Sequence, residues 1–148
     1  MTYRHLLVPT DGSERSTKAV QEAVDLARSL GARLTVLHVQ TNFPISLVGV
    51  GGLVDPHTVE ALVTSARNGS QQILAEAAAL AETAGVACDR DTVVHSLPYA
   101  AIVEAAGRHG ADLVVMASHG RRGLEGVLLG SETQRVLTHS PCPVLVVR

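Results

Sequence analysis

Short apolar runs alternate with stretches of helical periodicity along the whole chain. That alternation dictates an α/β fold built on parallel strands. His5-Leu6-Leu7-Val8, Leu34 to Val39, Leu113-Val114-Val115-Met116 and Val144-Leu145-Val146-Val147 are the runs. Strands covered on both faces read this way. Between the first two runs, Ala19, Val20, Ala23, Val24, Ala27 and Leu30 recur every third or fourth residue. Ser13 offers that helix an N-cap, Glu14 suits its first turn and Gly31 closes it. Asp55-Pro56 starts a second helix, whose apolar stripe runs from Val59 to about Thr83. Gly69 interrupts the stripe at a point where a helix can kink. Residues 87–94, with Asp89, Arg90 and Asp91, read as an edge strand. Pro98 opens a third helix with Ile102, Val103 and Ala106 inward. Ser131 and Gln134 have capping-box spacing, which puts the N-cap of a fourth helix at Ser131. The pattern is β-α-β-α-β-α-β-α-β: five strands and four helices in one domain over residues 1–148.

Composition narrows the function. With 148 residues the chain can bury a core without staples. A formal charge of −2 supplies no basic face for a nucleic-acid polymer, and 2% aromatic residues give few platforms for base stacking. No run reaches the ~20 apolar residues of a membrane span. The first apolar run is shorter than the about 7–15 residues of a signal h-region, so a cytoplasmic protein without membrane insertion is expected. Cys88 and Cys142 lack metal-ligand or CxxC spacing and read as reduced thiols. The histidines His5, His57, His95, His109 and His139 show no metal-ligand spacing either.

In a doubly wound sheet a ligand sits beyond the carboxyl ends of the strands, where strand order reverses. Those ends carry Pro9-Thr10-Asp11-Gly12 after the first strand and Ala117-Ser118-His119-Gly120 after the fourth. The second continues through Arg121, Arg122, Gly123 and Gly126 to Gly130-Ser131, at a helix start. Glycine amides, a helix N-terminus and two arginines point to a phosphate. No P-loop occurs, and no GxGxxG follows the first strand.

These residues resemble the universal stress protein family over the whole chain. The resemblance lies in Leu6-Leu7-Val8-Pro9-Thr10-Asp11-Gly12-Ser13, in Ala117-Ser118-His119-Gly120 with Gly130-Ser131, and in Ser140-Pro141-Cys142-Pro143-Val144-Leu145-Val146-Val147. The middle motif is similar to the ATP-binding branch's G-x2-G-x9-G-[ST]. The resemblance implies a Rossmann-like, adenine nucleotide alpha hydrolase-like sheet of order 3-2-1-4-5, sandwiched by four helices. It implies ATP with a magnesium ion. Pro9, Thr10 and Asp11 would line the adenosine side, Val39 would meet adenine, and Met116 and Ala117 would flank ribose and base. Gly120, Gly130, Ser131, Glu132 and Thr133 would hold the phosphates. The resemblance also implies a homodimer through the strand Val144 to Val147, which as an apolar edge needs a partner. Ala117 departs from the pattern, standing where its first glycine falls. A methyl group there is harmless at negative φ and clashes if φ is positive or the ligand comes close.

Other readings compete residue by residue. Asp11 either caps the turn into the first helix or meets the ligand; the ligand is favoured because Ser13 is the better cap. Arg121 and Arg122 are either solvated charges or phosphate contacts. His119 reads as a loop hydrogen-bonder and His38 as a satisfied structural histidine. A Ser118-His119-Asp11 triad is rejected, because adjacent Ser and His side chains cannot readily form the nucleophile–base pair and GxSxG is absent. The related pyrophosphate-releasing enzymes carry Ser-Gly-Gly-x-Asp-Ser where this chain has Thr10-Asp11-Gly12-Ser13. The expected function is therefore an ATP-binding regulatory protein, a nucleotide-dependent switch that an unidentified protein client reads. A slow or partner-stimulated ATPase is the alternative, since no group activates a nucleophile.

Overall fold

The computed structural model describes residues 2–41, 55–119 and 129–148. The elements are β1 (His5–Pro9), α1 (Glu14–Leu30), β2 (Arg33–Gln40), α2 (Pro56–Thr83), β3 (Cys88–Val94), α3 (Pro98–His109), β4 (Leu113–Ala117), α4 (Ser131–His139) and β5 (Val144–Val147). All strand pairs are parallel, and the sheet order is β3-β2-β1-β4-β5. Both the strand count and the order match the expectation. The glycine-rich connection at 42–54 and the segment 120–128, with Gly120, Arg121 and Arg122, lie outside the described residues.

Successive strand residues serve opposite layers, as a pleat requires. Leu6, Val8, Leu34, Val36, Leu113 and Val115 pack beneath α1 and α2 with Val20, Leu74, Ala77 and Ala81. Leu7, Leu37, Val114 and Met116 pack beneath α3 and α4 with Ile102, Ala105, Ala106 and Val136. Small and branched aliphatics fill both layers, with only the half-buried Tyr3 and Tyr99 packed against their edges. His5 and Thr35, both buried, are joined by a 2.7 Å bond between His5 Nε2 and Thr35 Oγ1.

Helix ends follow local chemistry with one exception. Ser13 Oγ accepts the Ser16 amide at 3.2 Å, and Gly31 turns the chain out of α1 at φ 66°. Asp55 caps α2 at its His57 amide, and α2 continues unbroken through Gly69. The exception is α4. Its first helical residue is Ser131 and its N-cap position is Gly130, which has no side chain to offer. The expected capping box is thus displaced by one residue. The Gly130 amide donates to the Ser118 carbonyl at 2.7 Å, and that tertiary bond sets where the helix begins. Gln134 turns to the Leu129 carbonyl at 3.1 Å instead of completing a box.

Candidate functional site

Strand order reverses between β1 and β4, so the carboxyl ends of these central neighbours define the switch point. The turn after β1 is held by its own side chains. Asp11 Oδ1 accepts the Ser13 amide at 2.9 Å and the Ser16 hydroxyl at 2.8 Å. Thr10 Oγ1 lies 3.1 Å from Ser16 Oγ and accepts the Gly12 amide at 3.2 Å. Gly12 has φ 78°, a conformation that glycine adopts without strain. Asp11 therefore does shape this turn. Ser16, one helical turn in, is the hub that the sequence reading missed; the hydroxyl density of Thr10-Asp11-Gly12-Ser13 followed by Ser16 was its available signal.

The end of β4 is stapled to the start of α4. Thr133 is buried, and its hydroxyl donates to the Ala117 carbonyl at 3.0 Å and the Ser118 carbonyl at 3.3 Å. The Ser118 amide donates to Val147 at 2.8 Å, tying in β5. A Cβ on Gly130 would stand 3.1 Å from the Ser118 carbonyl oxygen and 3.4 Å from His119 Cα. Gly130 is itself extended at φ −64°, so the position demands space rather than conformational freedom. Ala117 is the last residue of β4, paired with Val147, and no described residue other than glycine has positive φ. Its methyl group is therefore free of backbone strain.

Ser118 and His119 are buried, at 7% and 9% exposure. Their side chains meet, with Ser118 Oγ 3.1 Å from His119 Nδ1. Strand alternation ends at Ala117, which frees both side chains to turn the same way. The pair is still not a hydrolase arrangement, because its serine is on Nδ1.

Glu132 lies beside this junction, but its carboxylate turns to α3. It accepts the Tyr99 amide at 2.7 Å and meets Arg135 at 3.2 Å. The carboxylate thus serves the first turn of α3, where the Leu97 cap position has no side-chain bond. Pro9 and Val39 are half-buried, Met116 is buried and Ser131 is exposed, all at carboxyl ends of strands or at the start of α4. His38, as expected, is satisfied within the fold, with Nδ1 2.6 Å from Ser70 Oγ.

Several groups away from these turns have a displaced proton affinity. Burial, and then the Arg33 charge, push His5 below its ordinary value. Burial raises the Asp112 carboxyl, but the Arg4 and His5 amides outweigh it and hold Asp112 below the usual carboxylate range. At Asp91 burial is outweighed in the same way by His109 and Arg108. Burial raises the Cys88 thiol. A groove of about 530 Å³ along the first half of α2 is lined by His57, Glu60, Ala61, Thr64, Ser65 and Asn68. Among the described residues no cluster of His, Cys, Asp and Glu is arranged to hold a metal, and no helix is long and apolar enough to cross a membrane.

An open parallel sheet, covered by helices on both faces and carrying polar and glycine turns at its switch point, defines a Rossmann-like α/β domain. Comparison with known proteins gives the family. The model of the universal stress protein family matches residues 2–148, and the chain belongs to that family. A universal stress protein of Methanocaldococcus jannaschii, MJ0531, is 33% identical over 146 residues, covering 99% of this chain and 82% of that protein. One from Thermus aquaticus is 34% identical over 146 residues, covering 99% of each. The solved structure of MJ0577 superposes with TM-score 0.82 at 27% identity, covering 99% of this chain and 96% of that one. A universal stress protein in complex with cAMP superposes with TM-score 0.70 at 30% identity, covering 100% of this chain and 98% of that one.

Proposed function

We propose that this protein is a cytoplasmic regulatory protein that binds an adenine nucleotide, ATP with magnesium, at the β1/β4 switch point. It forms a single domain over residues 1–148 and works as a nucleotide-dependent switch read by a protein client. The observation that carries this reading is the junction of Gly130 with Ser118. A backbone junction too close to admit a Cβ lies directly before a helix N-terminus, whose first amides lack intrahelical partners. The relative that binds cAMP supports an adenine nucleotide as the occupant.

In this reading Pro9, Thr10 and Asp11 line the adenosine side, Val39 offers backbone groups to adenine, and Met116 and Ala117 flank base and ribose. With few aromatic residues in the chain, the base lies against aliphatic side chains. Ser131, Glu132 and Thr133 present backbone amides to the phosphates, and Gly130, its own amide held by the Ser118 carbonyl, brings the chain to that helix start. The Thr133 hydroxyl and the Glu132 carboxylate hold the junction and α3 in place instead. Gly120, Arg121 and Arg122 complete the phosphate side from outside the described residues. A magnesium ion held by phosphate oxygens and water would neutralise charge there. Binding alone requires no base.

The edge strand β5 supports a homodimer. It exposes 42% of Leu145, and among the described residues no strand pairs with its outer side. A monomer mass by light scattering at micromolar concentration would refute the dimer. For the nucleotide, calorimetry with ATP, with and without magnesium, is run beside an assay for released phosphate. Saturable binding with little release is expected. Turnover above about 1 per second, a typical low enzyme value, would favour the ATPase alternative, and no binding would end the proposal.

A further inference from the structure

We infer that His119 is a ligand-contacting residue, whose Nε2 donates a hydrogen bond to a phosphate oxygen of the nucleotide at the N-terminus of α4. The inference rests on the nucleotide reading above and assigns it a side chain outside the glycine pattern. His119 is more than nine-tenths buried, and its Nε2 is enclosed without a hydrogen-bond partner. Enclosed polar atoms are almost always paired, so an orphan calls for a partner that arrives. The ring's other nitrogen is already engaged, 3.1 Å from the Ser118 hydroxyl. A hydroxyl donating to Nδ1 leaves the ring proton on Nε2, which then presents an N–H. Cδ2, the ring atom bonded to Nε2, would lie 3.8 Å from a Cβ on Gly130. The N–H edge of the imidazole therefore borders the residue from which α4 starts. That helix end carries no side-chain cap of its own. A helix N-terminus and an N–H donor converging on one place suit an anionic oxygen.

The other enclosed orphan, His5 Nδ1, is the contrast. It sits at the opposite end of β1, its ring fixed by Thr35, with no helix N-terminus beside it. It has no comparable claim to a ligand.

The test uses two side-chain mimics. Gln places its amide nitrogen near the position of Nε2, and Asn places it near Nδ1. Calorimetry with ATP, ADP and AMP is run on the wild type, His119→Asn and His119→Gln, with melting temperatures recorded for each. His119→Asn is expected to weaken nucleotide binding at least about tenfold, the scale of a lost hydrogen bond to a charged group. His119→Gln is expected to restore most of that loss. In the wild type, the ¹⁵N resonance of His119 Nε2 should move on adding nucleotide, a signal that mere packing would not give. If the wild type binds and His119→Asn binds equally well, or the Nε2 resonance stays still, the inference fails and the nucleotide reading stands. Equal losses in both variants, matched by equal falls in melting temperature, would make His119 structural and also overturn it. If the wild type binds no adenine nucleotide, both fail together.

Discussion

Gly130→Ala isolates the physical feature on which the site depends. The new Cβ would stand 3.1 Å from the Ser118 carbonyl oxygen and 3.4 Å from His119 Cα, both backbone atoms. Neither can swing aside as a side-chain tip could. Ser118 is tied to Val147 by its amide, and its carbonyl accepts from Gly130 and Thr133. Relief must come from the junction opening by a few tenths of an ångström. Overpacking of this kind costs about 1–3 kcal/mol. Alanine meanwhile restricts the unfolded chain and is compatible with φ −64°, which returns about 0.4–1 kcal/mol. The net loss centres on ~1.3 kcal/mol, a fall in melting temperature of about 3–5 °C for a chain of this size. Gly69→Ala is the matched control: nothing lies within 4 Å of a Cβ there, in the middle of α2. Alanine in an exposed helix interior gains about 1 kcal/mol over glycine. Urea unfolding reads both as shifts in midpoint at constant m-value. If Gly130→Ala proves as neutral or stabilising as Gly69→Ala, the junction is not close-packed and the argument built on it is wrong.

Other outcomes follow from the same contacts. Ala117→Gly should leave nucleotide affinity within about twofold, because Ala117 is an unstrained strand residue, and should cost about 0.5–1 kcal/mol of stability; a large affinity gain by calorimetry would show that the methyl group obstructs the ligand. Glu132→Ala removes the carboxylate bound to the Tyr99 amide and should cost about 0.5–2 kcal/mol in thermal unfolding, as losing a helix cap does; an unchanged melting temperature would refute the link from α4 to α3. Acid should destabilise the fold in two stages. His5 titrates below its ordinary 6.5 when folded, so the unfolded chain binds more protons and stability falls as pH drops below 6.5. Asp112 titrates below its ordinary 3.8 when folded, so its contribution is present above 3.8 and is lost as pH falls below that value. His5→Gln should flatten the first stage and Asp112→Asn the second in urea midpoints taken against pH; unaltered slopes would contradict these assignments.

Much of the fold is legible in the sequence because its signals are local. Leu6-Leu7-Val8 and Leu113 to Met116 state strands buried on both faces, and Ser13, Gly31, Asp55-Pro56 and Gly110 punctuate the helices between them. What escaped depended on distant atoms. Whether Gly130 or Ser131 capped α4 was decided by a carbonyl on Ser118. Glu132 reads as a phosphate neighbour until Tyr99, 33 residues away in sequence, claims its carboxylate. Ser118 and His119 meet because the strand ends one residue before them, and ±1 residue at a strand end is finer than an apolar run defines. Asp11 and Ser131 lie at the turns beside the switch point, yet pattern alone could not say which of their atoms face inward.

The central claim is a nucleotide seated between the ends of β1 and β4. Backbone amide resonances of ¹⁵N-labelled protein, followed through a titration with magnesium and ATP, test it most directly. Shifts should concentrate on Thr10 to Ser13, on Val39, on Ala117 to His119 and on Gly130 to Thr133. Their absence, or their concentration on the α2 groove from His57 to Asn68, would contradict it.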